Sequence, residues 1–293
     1  MHDSHVHLTT QPLFDYRERA LENFVNQKGK YLLSCGNDIE TSLQVLEIFE
    51  EYKLRYVGLI QNSVGIHPEE FHPEESTDNV LNKIDELKNI VAENKKRIHA
   101  IGETGLEYYN LMNRTDIDFE SREEAIEKQK TSLREHIKIA LENDLPIVMH
   151  TRDEKDSDFC TKDIANIIAQ EGKLKLKGVM HSYVGSEKYL HQFLELGFYI
   201  GFNGILTYKS GENVRELLKK TPIEKILLET DAPFLPPQNV RADKKRTVKF
   251  GQPADISEIA KAISEIKGLN LEEVFKITTQ NYEDLFLNQH HQD

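Results

Sequence analysis

Only two cysteines, Cys35 and Cys160, occur in this chain of 293 residues, and they stand far apart with no metal-type spacing. They predict reduced thiols rather than a disulfide framework. Long apolar runs are missing as well, so no segment is expected to cross a membrane. No charged segment followed by an apolar one opens the chain, which points away from a cleaved targeting peptide and makes the cytosol the expected compartment. Positive charge is in short supply. The 37 Lys and Arg face 50 Asp and Glu, a net charge of −13, so the broad basic face that grips long stretches of nucleic acid is excluded. A polyanionic substrate would have to be held locally, by metal ions and a few Arg or Lys. Repeats and low-complexity tracts are absent too.

What is present is a regular alternation. A hydrophobic content of 38% with 30% charged residues fits a soluble globular protein. Short apolar runs are followed by long polar segments with helical periodicity. The runs are Asp3–His7, Tyr31–Cys35, either Tyr56–Ile60 or Ser63–Ile66, Ile98–Glu103, Pro146–His150, Gly178–His181, Phe198–Phe202 and Ile226–Asp231. Helices are predicted over 14–28, 39–53, 76–95, 120–143, 158–171, 187–196 and 212–220, with two more, 254–266 and 271–287, after the last strand. Ile126, Leu133, Ile137, Ala140 and Leu141, for example, line one helical face, and Asn143-Asp144-Leu145-Pro146 ends that helix. The runs are rich in Leu and β-branched residues, as in a parallel sheet covered by helices. Eight such units in one domain spanning 1–293 predict a (β/α)₈ TIM barrel. A doubly wound open sheet is the alternative, but the Gly-rich phosphate turn after its first strand is missing.

The predicted strands end in ligand-type residues. The first carries His5-Val6-His7, and residues two apart on a strand share a face. The others end in His67, Glu103, His150, His181 and Asp231. A lone histidine at a strand end is more often bonded to backbone, and a lone carboxylate more often caps a helix. Six strand ends of this kind are not explained by independent capping. In a barrel all of them lie on the C-terminal rim, where they predict a metal centre. The set exceeds the shell of one ion. We therefore expect two divalent ions bridged by Glu103, with His5, His7, Glu103 and Asp231 on the first and Glu103, His150 and His181 on the second. His67, left over, suits substrate contact better than metal binding.

These motifs together resemble the TatD family of metal-dependent deoxyribonucleases, within the amidohydrolase-like barrels. The resemblance runs from Asp3 to about Phe286. It rests on Asp3-Ser-His5-Val-His7-Leu8, Gly65-Ile-His67-Pro68, Ala100-Ile-Gly-Glu103-Thr-Gly105-Leu-Glu107-Tyr-Tyr109, His150-Thr-Arg152-Asp153, His181-Ser-Tyr-Val-Gly185 and Leu228-Glu229-Thr-Asp231-Ala-Pro-Phe234-Leu-Pro-Pro237. The chain departs from the family pattern in four places. Glu107 stands where Asp is usual and His136 where Gln is frequent. Gly251-Gln252-Pro253 replaces Asn-Glu-Pro, after a more basic approach through Lys244, Lys245, Arg246 and Lys249, and the stretch from Arg55 to Asn62 is longer than typical.

The resemblance implies hydrolysis of phosphodiester bonds in DNA, as a 3′→5′ exonuclease. Mg is the activator usually associated with the family, whereas a histidine-rich set suits Zn or another transition ion such as Mn. Read alone, the residues agree with this chemistry. Asp231 is the candidate general base, with Glu103 and His67 also at the reacting centre. His67, Arg152 and Arg241 are candidate donors to phosphate, and Tyr108 and Tyr109 could stack on a base, with Tyr108 taken as the substrate contact. Glu229 and Thr230 are expected to support the last strand or the ligands. DNA ends, single-stranded or frayed, are the expected substrate of a monomer with no membrane or obligate protein partner. A rival reading is an amidohydrolase or esterase cleaving a small amide, lactone or ester, since the same ligand set polarises a carbonyl. A metal-binding module without catalysis would need a missing ligand or base, and none is missing.

Overall fold

A computed structural model describes residues 1–172 and 175–288. In chain order the elements are β1 (His2–Val6), α1 (Leu13–Asn26), β2 (Tyr31–Cys35), α2 (Ile39–Tyr52), β3 (Ile60–Val64), α3 (Thr77–Asn94), β4 (Ala100–Glu107), α4 (Tyr108–Asn113), α5 (Phe119–Asn143), β5 (Ile147–Arg152), α6 (Phe159–Glu171), β6 (Gly178–Met180), α7 (Glu187–Glu195), β7 (Tyr199–Phe202), α8 (Glu212–Lys220), β8 (Ile226–Leu228), α9 (Gln238–Ala242), α10 (Ile256–Lys267) and α11 (Leu271–Phe286). All neighbouring strands pair in parallel, in the order β1 to β8. The expected (β/α)₈ barrel is therefore present. Its seam is closed by a parallel bridge between Val6 and Ala232, by bonds from the Asp231 N–H to the His5 carbonyl (2.9 Å) and from the His7 N–H to the Ala232 carbonyl (2.8 Å), and by Asp3, whose carboxylate accepts from the N–H and hydroxyl of Thr230 at 2.9 and 2.6 Å.

The helices end where local chemistry stops them. Asp38 caps α2 through the Thr41 N–H, with the Thr41 hydroxyl accepting from the Asp38 N–H in return, and Asp118 caps α5 through the Ser121 N–H. Such caps satisfy N–H groups that the helix leaves without partners. α5 ends at Asp144, which adopts the left-handed conformation. The third strand is a correction. It runs Ile60–Val64, between the two expected stretches, because Tyr56 to Leu59 form a turn in which the Leu59 N–H bonds the Tyr56 carbonyl. Two short helices, α4 and α9, were not anticipated. Each is a single turn or little more, too short to show a period.

The core has two parts. Apolar faces of the helices pack on the outside of the barrel. Inside, Leu33, Cys35, Ala100, Val148, Val179 and Leu227 form a layer closed at the strand N-termini by Tyr282, Leu285 and Phe286 of α11. With its floor plugged, the barrel opens only at the strand C-termini. No helix among the described residues is long and apolar enough to cross a membrane.

Candidate active site

Two strands carry an extra residue just where the site begins. The β1–β2 register shifts between Asp3 and Val6, and the β4–β5 register between Ile101 and Thr104. A one-residue bulge reverses which side chains face inward beyond it. On β4, Ala100 points into the barrel and Ile101 outward. Past the shift, Glu103 and Glu107 turn to the mouth, while Leu106 packs outside. Gly102 (φ 142°) and Gly105 (φ 151°) flank Glu103 in backbone conformations closed to other residues, and a Cβ on Gly105 would run into the His150 carbonyl.

Around Glu103 the imidazoles divide. Its Oε2 lies 3.2 Å from His5 Nε2 and 3.8 Å from His7 Nε2. Its Oε1 lies 2.9 Å from His150 Nδ1, 3.8 Å from His181 Nε2 and 3.9 Å from His67 Nε2. The single carboxylate thus spans two groups of nitrogen donors. Asp231 Oδ1 closes the first group, 3.3 Å from His7 Nε2 and 3.9 Å from His5 Nε2. His181 lies between the two groups, 3.8 Å from both Glu103 and Asp231, with its ring stacked on His5 at 3.5 Å. Asp231 has φ 57°, a left-handed conformation that Asp tolerates better than most residues, and this turns its carboxylate into the mouth.

The electrostatics suit cations. Burial favours a neutral Glu103 carboxyl, but His5 and His181 hold it well below the usual carboxylate range. Burial likewise opposes ionisation of Asp231, and the hydrogen bond from His7 with the charge of His181 lowers it. Burial disfavours a charged His150, yet hydrogen bonds to Glu103 and Glu107 raise it to about 9. His181, desolvated in the same way, is raised to about 10, chiefly by Glu229 and Glu103. Ionised carboxylates and imidazole nitrogens on one small surface are the donor set that transition ions take, and the residues fit divalent metal ions.

His67 differs. Its Nδ1 accepts from the Glu69 N–H at 3.2 Å, and burial, then the neighbouring His150, pushes its pKa down to about 3. A neutral ring that accepts at Nδ1 carries its proton on Nε2, so His67 offers the mouth an N–H donor rather than a lone pair.

Supporting groups fix the imidazoles. Glu229, fully buried, accepts from His181 Nδ1 at 3.0 Å and from the Ser182 N–H at 2.6 Å. Glu107, to which the sequence motifs gave no role in the site, places Oε2 3.2 Å from His150 Nε2 and caps α4 through the Asn110 N–H (2.9 Å). The signal was there. Glu103, Gly105 and Glu107 alternate along one strand, but ending that strand at Glu103 hid it. Arg152 reaches Glu107 Oε2 at 3.8 Å and lies 4.3 Å over the Tyr109 ring. Arg241, on α9, lies 5.2 Å over the Tyr208 ring. Tyr108 is a second correction. It is buried, and its hydroxyl donates to Asp163 of α6 at 2.9 Å, so it is spent on internal packing while Tyr109 is exposed in its place. Part of the expected basic run is also spent on contacts within the chain, with Arg246 paired to Asp255 (2.6 and 2.9 Å) and the exposed Lys249 bonded to the Asp243 carbonyl.

A parallel eight-stranded barrel with a histidine–carboxylate cluster at its C-terminal mouth is the architecture of barrel hydrolases that work with divalent ions. The model of the family described as TatD related DNase matches residues 2–287, and the chain belongs to the TatD family of metal-dependent hydrolases. It is 30% identical to YabD of Bacillus subtilis (strain 168) over 97% of this chain and 98% of that one, and 31% identical to YcfH of Escherichia coli (strain K12) over 97% and 94%. Both relatives are named uncharacterized metal-dependent hydrolases. The crystal structure of YjjV, a TatD homologue from Escherichia coli K12, has the same fold, with a TM-score of 0.79 at 22% identity over 98% of this chain and 97% of that one.

Proposed function

We propose that the protein hydrolyses phosphodiester bonds in DNA as a 3′→5′ exonuclease acting on single-stranded or frayed ends, with two divalent ions bridged by Glu103. The observation that carries this reading is the Glu103 carboxylate, with one oxygen 3.2 Å from His5 and the other 2.9 Å from His150. His5, His7, Glu103 and Asp231 would hold one ion, and Glu103, His150 and His181 the other. Divalent ions at such sites lower the pKa of water and offset charge on phosphoryl oxygens. Asp231 is the general base. Its Oδ1 faces the imidazoles and its Oδ2 is left to take the proton of the attacking water. Phosphate rather than a neutral carbonyl is favoured by the donors around the cluster: the His67 N–H, and the Arg152 and Arg241 guanidinium groups held in place over Tyr109 and Tyr208.

The test is product analysis on oligonucleotides labelled at the 5′ or the 3′ end, with Mg, Mn and Zn in turn, beside a neutral ester. Shortening from the 3′ end, faster on single strands than on duplex, is the expected result. Ester hydrolysis without oligonucleotide cleavage would replace this reading with the amidohydrolase or esterase class.

A further inference from the structure

The described residues expose four aromatic side chains, Tyr109, Phe119, Phe159 and Phe234. Each follows a strand C-terminus, on α4, at the first turn of α5 or α6, or in the segment after β8. None is exposed at the barrel floor, so all four occur on the face that holds the ligand cluster. Two of them touch that cluster or its supports. Phe234, 48% exposed, meets the His7 ring edge to face with centroids 5.7 Å apart. Tyr109, 38% exposed, lies under the Arg152 guanidinium, which Glu107 ties to His150.

Their places in the barrel are opposite. Phe234 belongs to the β8–β1 seam and Tyr109 with Arg152 to β4 and β5, half a turn away in the strand order. A phosphate at the cluster would have a flat, exposed aromatic surface on each side. The planar groups of a nucleic acid are its bases, and the base on either side of a phosphodiester lies one sugar away. Stacking on Phe, Tyr or Arg is open to any base because every base has a π face.

We propose that Phe234 and the Tyr109–Arg152 pair are two base-stacking platforms, and that the unit recognised is a pair of unpaired nucleotides straddling the scissile phosphate, without sequence preference. The inference rests on the nuclease reading and deepens it. Paired bases stack on their neighbours and cannot lie on the platforms, so duplex has to fray before it is cut.

The test pairs side chains with bases. Cleavage by the metal-loaded protein is measured on a short single-stranded oligonucleotide and on two versions lacking the base on one or the other side of the cleaved bond. The wild-type protein should lose roughly tenfold in kcat/KM for each missing base. Phe234→Ala should become indifferent to one of the two deletions and Tyr109→Ala to the other, because the deleted partner no longer has a contact to lose. Phe234→Tyr, which keeps a ring, should retain the wild-type dependence. Equal rates on intact and abasic substrates, or losses that simply multiply in every combination, would overturn the platforms while leaving the nuclease reading in place. No cleavage of any oligonucleotide, with hydrolysis of a neutral ester intact, would overturn the nuclease reading and the platforms with it.

Discussion

Asp231 combines three properties that separate it from the other carboxylates at the mouth. It is held ionised by its histidine neighbours, it keeps a small opening to solvent at 13% exposure, and its backbone is left-handed. Asn tolerates the same backbone conformation, so Asp231→Asn changes charge with little change of shape. We expect kcat to fall by at least roughly a hundredfold, the scale of a lost general base, while metal content falls much less, since His5, His7 and Glu103 remain. Steady-state rates set beside elemental analysis of the same preparation check this, and near-normal turnover would move the base elsewhere. Glu229 reaches the cluster through His181, by receiving its Nδ1–H at 3.0 Å, while its other oxygen accepts from the Ser182 N–H. For Glu229→Gln we expect metal affinity to weaken about 10- to 100-fold, as when a partner of a ligating histidine is lost. Calorimetric titration with Zn or Mn reads this without any substrate, and unchanged affinity would reduce Glu229 to packing.

At the scale of elements, a buried histidine ties α5 to the segment just past β3. His136 is fully buried. Its Nε2 accepts from the Ile66 N–H at 3.0 Å and its Nδ1 donates to the Ser132 carbonyl at 2.8 Å. Both nitrogens are engaged in the neutral form, and burial pushes the pKa down from 6.5 to about 4. Between those values the unfolded chain binds a proton that the folded chain refuses, so stability falls as pH drops through that window. The integrated loss is about 3 kcal/mol at the acid end. A Gln amide can donate and accept in the same way but does not titrate. His136→Gln should therefore match the wild-type protein above pH 6.5 and be less acid-sensitive from there down to pH 4, as urea unfolding across pH would show. Parallel curves for the two proteins would refute the assignment. Because Ile66 precedes His67, the same bond helps to set the donor at the mouth.

The whole molecule divides its labour between two ends. The strand C-termini carry the polar cluster, and α11 closes the other end with Tyr282, Leu285 and Phe286 against the interior layer. Tyr282 is further anchored by its hydroxyl, which donates to Gln61 at 2.9 Å, and by a parallel stack on Tyr31. Phe286→Ala opens a cavity in this floor and should cost about 3–5 kcal/mol of stability. Metal affinity should be unaffected, because no ligand lies on α11. Denaturant titration and metal titration of one preparation separate the two effects. A variant that loses metal at unchanged stability would show that floor and mouth are coupled.

The sequence by itself determined the alternation of strands and helices, the parallel sheet and which histidines and carboxylates stand at the strand ends, because hydrophobic periodicity and residue chemistry are local properties. His5 and His7 were readable as a pair since strand alternation alone puts residues two apart on one face. The position of β3 was not readable, as Tyr56 to Ile66 is apolar enough to allow several strand positions and only pairing with β2 and β4 selects Ile60–Val64. Tyr108 and Tyr109 are chemically alike and adjacent, so which is buried depends on where α4 lands. Glu107 joined the site only because a bulge re-phases β4 and the strand runs on through Gly105 to four residues past Glu103. The split of nitrogen donors across the two oxygens of Glu103 was likewise a tertiary decision. It requires side chains from β1, β4, β5 and β6 to meet within a few ångströms, and that happens only when the barrel closes.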